Sequence, residues 1–102
     1  MLEAFPNLRV DREKLEALCR EYHVKRLAVF GSYLRGDQKP TSDLDLLVEF
    51  EPEARIGLFK FVHLEELLGQ AFGTKVDLNT AGFLNKAFRD SVVQHAQPFY
   101  AR

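Results

Sequence analysis

Apolar positions along the chain change period several times, and each change marks an element. Residues 11–23, DREKLEALCREYH, place Leu15, Leu18, Cys19 and Tyr22 on one face at helical spacing, with Asp11 positioned to cap the start. Residues 25–30, KRLAVF, form a short apolar run ended by Gly31 and predict a strand. A turn-rich connector follows, SYLRGDQKPTS, with room for one helical turn directly after Gly31. Residues 43–50, DLDLLVEF, alternate and predict a second strand, with Pro52 beyond its end. Residues 55–72 predict a long helix with a stripe of Leu58, Phe61, Val62, Leu68 and Phe72, widened by Ile56, Phe59, Leu67 and Ala71 and stopped by Gly73. KVDLN, 75–79, predicts a third strand. Residues 81–96 predict a closing helix capped by Thr80, with Leu84, Ala87, Phe88, Val92 and Ala96 on one side. The pattern assigns no element to PFYAR at the end.

The predicted order is α-β-β-α-β-α. This is an α/β (α+β) domain in which a small mixed sheet is flanked by helices, one domain over 1–102. Phe59, Phe61, Phe83 and Phe88 are expected to pack into its core. The wide apolar face of helix 55–72 is expected to serve core packing first and leaves room for a partner surface.

The second strand carries an anomaly. Side chains alternate across a strand, so Asp43 and Asp45 share one face with Cα atoms about 6.6 Å apart, while Leu44, Leu46, Val48 and Phe50 share the other. Two carboxylates side by side raise each other's pKa and cost stability unless water or a cation compensates them. Taken singly they read as a solvated pair at a strand start. The same arrangement suits Mg²⁺, which prefers oxygen ligands and is commonly held by carboxylates together with substrate phosphates. Asp77 sits in the third strand and joins the pair if that strand is a neighbour; alone it reads as a surface position on an edge strand. Three acids suffice for two metal ions. Gly31-Ser32 supplies a complementary half: a residue without Cβ, N–H groups opening a helical turn, and a hydroxyl, all suited to phosphate. Arg35 adds a cation for a triphosphate, or an ordinary solvated ion pair. Lys39, ahead of Pro40, reads as a loop lysine.

Composition narrows the field. The net charge of −1 argues against a domain that coats nucleic acid. Cys19 is alone, and His23, His63 and His95 show no metal-ligand spacing. MLEAFPNLRV lacks the pattern of a secretion signal, and no apolar run is long enough to cross a membrane, so a cytoplasmic location is expected. Gly31 and Gly36 have the spacing of the two P-loop glycines, but Asp37-Gln38 stands where Lys-Ser/Thr is required.

GSYLRGDQKPTSDLDLLVEF resembles the signature of the DNA polymerase β-type nucleotidyltransferase superfamily: Gly-Ser, a connector of about ten residues, then Asp-any-Asp in a strand. The Arg35-Gly36 pair, Ser42 before the acids, KVDLNT and the closing amphipathic helix look like its minimal, toxin–antitoxin-type members. The resemblance implies that Gly31 and Ser32 bind nucleotide phosphates. It implies that Asp43, Asp45 and Asp77 hold Mg²⁺, with Asp77 as base for the acceptor hydroxyl. It implies transfer of a nucleoside monophosphate, AMP from ATP, to a hydroxyl on a partner. The partner it implies is a small helical protein of the higher-eukaryote-and-prokaryote nucleotide-binding type. The alternative is a non-catalytic antitoxin-like subunit that binds this partner without transfer.

Overall fold

Alternation in LDLLVEF organises the sheet. The computed structural model describes residues 10–37 and 39–101; the opening stretch 1–9, Gln38 of the connector and Arg102 lie outside them. Strand β2 (Leu44–Phe50) buries Leu44, Leu46 and Val48 on one face, as the pattern predicts. Strand β1 (Val24–Phe30) pairs with it antiparallel, Phe30 opposite Asp45 and Ala28 opposite Leu47. Strand β3 (Val76–Asn79) pairs with it parallel, Leu44 opposite Val76 and Asp45 opposite Asp77. The sheet order is β3-β2-β1-β4, where β4 (Gln97–Ala101) lies antiparallel to β1. This fourth strand occupies the tail to which the pattern assigned nothing. Pro98 lacks an N–H donor, and the edge of a sheet is where such a residue is tolerated.

Helices cover the face of Leu44, Leu46 and Val48. Helix α1 (Arg12–Glu21) is capped by Asp11, whose carboxylate accepts from Glu13 N and Lys14 N, and it buries Leu15 and Cys19. The single turn α2 (Ser32–Arg35) follows Gly31. Helix α3 (Leu58–Phe72) connects β2 to β3 and ends at Gly73, φ 70°. It begins three residues later than expected, and its buried row is Leu64, Leu68 and Phe72. Leu58, Phe59 and Val62 are 72%, 91% and 43% exposed, which corrects their assignment to the core stripe. At about 100° per residue, Phe59 and Val62 fall well off the row of Leu64 and Leu68, and a wide apolar face cannot rest entirely on one sheet. Phe61 does pack inward, edge-on to Phe50 at 6.4 Å and to Phe83 at 5.4 Å between ring centroids.

The closing helix is also corrected. Ala81–Phe83 form a 3-10 turn, Leu84 is extended and buried, and helix α4 runs only from Lys86 to His95. Its cap is Asn85, whose side chain accepts from Ala87 N at 2.8 Å, not Thr80. Seating Leu84 in the core breaks the helical backbone, and Asn85 restarts it. Phe83 and Phe88 remain exposed rather than in the core.

These placements separate two leucines of α3. Leu64→Ala is expected to cost about 3 kcal/mol and Leu58→Ala less than about 0.5 kcal/mol, read from urea unfolding midpoints at unchanged slope.

Candidate active site

Parallel pairing brings Asp45 and Asp77 side by side on the face opposite the α1/α3 layer. Both strands offer their buried residues, Leu44 and Leu46, Val76 and Leu78, to that layer, so the acids are left on the open side. Asp45 has a second neighbour in Phe30, the last residue of β1. Gly31 follows with φ 74° and ψ −147°, a left-handed region that L side chains rarely adopt. A Cβ on Gly31 would land on Asp45 Oδ2 and 3.0 Å from its Cγ. The glycine is therefore required for both backbone conformation and space. It opens α2, whose first N–H groups have no partner within the turn. Gly36, φ 80°, closes α2 with its N–H donating to Ser32 O at 2.9 Å.

Asp43 precedes β2 rather than lying within it. The loop that delivers it is closed by Ser42, whose Oγ accepts from Lys39 N at 2.8 Å and whose N–H donates to Lys39 O at 2.9 Å. Asp43 Oδ2 stands 4.0 Å from Lys75 Nζ. Arg35 Nε pairs with Asp37 Oδ2 at 3.2 Å, both side chains largely exposed. Of the residues singled out from the sequence, Gly31, Asp45 and Asp77 thus form the centre. Ser32 and Arg35 border it on α2, and Asp43 lies close by on its salt bridge. Among the described residues no three His, Cys, Asp or Glu side chains gather into a metal-holding group. Lys75 was not singled out. Its signal is the matching spacing of KVD and DLD, which becomes legible once the two strands are known to pair in parallel.

The electrostatics of the pair are unbalanced. Asp45 is pushed up from 3.8 to about 6, first by burial, then by the charge of Asp77 and a hydrogen bond shared with it, then by the charge of Asp43; Arg35 pulls the other way. Two adjoining carboxylates on one sheet face, Asp45 and Asp77, are the kind of oxygen donors that a hard divalent cation takes. The residues present fit Mg²⁺ on that ground.

Two expectations follow. Gly31→Ala should destabilise the fold by about 1–3 kcal/mol and weaken nucleotide binding, checked by thermal unfolding and calorimetry. For Asp45, folding raises the pKa, so the cost of its charge is present in full above pH 6 and gone below its ordinary 3.8. Asp45→Asn should then raise Tm by several degrees near neutral pH in EDTA, about 1 kcal/mol for this half-exposed group, and by much less near pH 4.5. Scanning calorimetry at the two pH values checks it.

The family signature of the nucleotidyltransferase domain matches residues 11–98. Among relatives, protein adenylyltransferase MntA of Thermococcus cleftensis is 39% identical over 77 residues, 76% of each chain. A candidate protein adenylyltransferase of Methanocaldococcus jannaschii is 41% identical over 78 residues, again 76% of each. Among solved structures, a candidate minimal nucleotidyltransferase is 35% identical and superposes with a TM-score of 0.70, covering 86% of this chain and 88% of that one. Two more distant structures share the fold. A toxin–antitoxin structure with AMP-PNP is 22% identical with a TM-score of 0.70, over 91% of this chain and 75% of that one. A tri-AMPylated HEPN toxin of Shewanella oneidensis in complex with MNT antitoxin gives 20% and 0.60, over 88% and 69%. By signature, relatives and fold together, the chain belongs to the nucleotidyltransferase domain family, among its minimal members.

Proposed function

We propose that this enzyme transfers AMP from ATP to a hydroxyl on a partner protein, with Mg²⁺, in the manner of an antitoxin. The observation that carries the reading is the juxtaposition of Asp45 and Asp77 in register at the foot of the Gly31-Ser32 turn. The relatives support its class, since MntA is named a protein adenylyltransferase. The AMPylated HEPN toxin bound to an MNT antitoxin supports a partner of the HEPN type as acceptor.

In this reading the N–H groups and hydroxyl at Ser32, with the open backbone of Gly31, hold the phosphate oxygens. Arg35 exchanges Asp37 for the triphosphate. Asp43, Asp45 and Asp77 are the residues that would hold Mg²⁺, and the ion would supply positive charge against the phosphate oxygens. Asp77 takes the proton of the acceptor hydroxyl as its oxygen attacks the α-phosphorus; the bond to the bridging oxygen breaks and pyrophosphate leaves. Exposed Leu58, Phe59 and Val62 on α3 are the surface offered to the partner. The protein works in the cytoplasm, and its net charge of −1 supports action without nucleic acid. Among the described residues no helix is long and apolar enough to cross a membrane.

One observation favours a second reading, a subunit that binds and blocks its partner without transfer: Asp43 is paired with Lys75, away from a three-carboxylate group. Transfer of label from α-³²P ATP to the partner separates the two. Asp45→Asn and Asp77→Asn should each lower transfer by about 10³-fold or more with the fold intact. Calorimetry should show ATP binding with Mg²⁺ that EDTA removes. Partner neutralisation that survives both substitutions, with no label moved by the wild type, establishes the non-catalytic subunit instead.

A further inference from the structure

The register that joins Asp45 to Asp77 continues one row back. Leu44 lies opposite Val76, and Leu44 N donates to Lys75 O at 2.8 Å, so the parallel ladder runs past the strand ends. It sets Asp43 opposite Lys75. Residues two apart share a face, so the open side presents four corners: Asp43 and Lys75 in one row, Asp45 and Asp77 in the next. Such corners stand about 6.6 Å apart along a strand and about 4.8 Å across. Lys75 is thus fixed by backbone pairing as the one basic corner of an otherwise acidic square. Packing does not account for it, because its side chain is 82% exposed. Its ammonium is 4.0 Å from Asp43 Oδ2.

Resting on the metal-site reading above, we propose that Lys75 is a positioning residue that acts through Asp43, serving as its counter-ion until a divalent cation displaces it. Asp43 is engaged by a cation already present in the chain. A metal ion arriving alone must compete with that ammonium for Asp43 and bear its repulsion. A triphosphate offers the ammonium another anion, releases Asp43, and so couples metal uptake to nucleotide. Lys75 makes the metal site conditional on substrate.

A purely structural ion pair would move Tm and leave metal affinity alone, so the test reads affinity. Binding of Mn²⁺ to the full chain is followed by the electron paramagnetic resonance signal of the free ion, with and without AMP-PNP. The proteins are the wild type, Lys75→Gln, Asp43→Asn, the double variant, and Lys25→Gln. The last breaks a surface pair with Glu49 of similar length, 3.6 Å, and serves as control. Lys75→Gln should tighten binding of Mn²⁺ alone by roughly threefold to tenfold, the effect of removing a unit charge about 6 Å from a divalent ion in screened water. It should also narrow the gap between affinities with and without nucleotide. Asp43→Asn should cancel most of that gain, and Lys25→Gln should shift affinity by less than about twofold. Unchanged or weaker Mn²⁺ binding in Lys75→Gln overturns the inference while leaving the metal site standing. A wild type that takes up no Mn²⁺ in either condition overturns the metal-site reading, and the inference with it.

Discussion

Parallel pairing of β2 with β3 is the constraint on which the rest depends. It places Asp45 against Asp77, an arrangement that repulsion opposes. What enforces it is the other face of the same strands. Leu44, Leu46, Val76 and Leu78 are all buried, and a slip of one residue would turn them toward water. Each is worth about 1.5–3 kcal/mol of burial, against about 1 kcal/mol for the half-exposed Asp45 carboxylate, opposed first by its own burial and then by Asp77. The core therefore wins, and the acids are held together as a consequence of it. Helix α3 makes the parallel connection possible, because such strands need a crossover. It also fastens the result: Glu65 Oε2 accepts from Leu78 N at 2.8 Å, satisfying a donor on the edge strand.

β1 contributes the third side of the site. Being antiparallel to β2, it ends where β2 begins, which brings Phe30 and then Gly31 to Asp45. Three segments distant in sequence, 31–35, 43–45 and 75–77, meet at one end of the sheet through strand direction alone. Their side chains differ in burial accordingly. Asp45 is half-buried between two neighbours, whereas Arg35 and Lys75 stand at the solvent margin, where a charged side chain can change partners at small cost.

Much of this was legible because it rests on period-two alternation and on glycine. LDLLVEF announces which face is core, and Gly31 followed by Ser32 announces the turn. Asp11 as a cap and Gly73 as a stop are equally local. Less legible was anything that depends on where a neighbour sits. PFYAR is indeterminate as a pattern, yet residues 98–101 lie in the edge strand β4, where Pro98 needs no donor. Phe59 and Val62 satisfy the helical period, but only a bounded sheet lies beneath α3, so the row centred on Leu64 claims the core. Leu84 looks like one more position of a helix until its burial in extended backbone divides that helix. Lys75 reads as a flanking charge until the parallel register sets it opposite Asp43.

The partial exposure of Asp45 is itself informative. A carboxyl held near pH 6 remains mostly ionised at neutral pH, so the site keeps an anionic oxygen ready for a cation. Deeper burial would push it past neutrality, and the pair would share a proton instead of offering two charges. Full solvation would relieve the repulsion but leave the carboxylate free to turn away. An open sheet face with Arg35 at its margin lies between these limits. The backbone ladder fixes position, solvent keeps the charge, and the unbalanced field that results is what a divalent cation with its triphosphate would neutralise. Stability at this end of the sheet is therefore given up for a charge pattern, which on the function proposed above a bound ligand would complete.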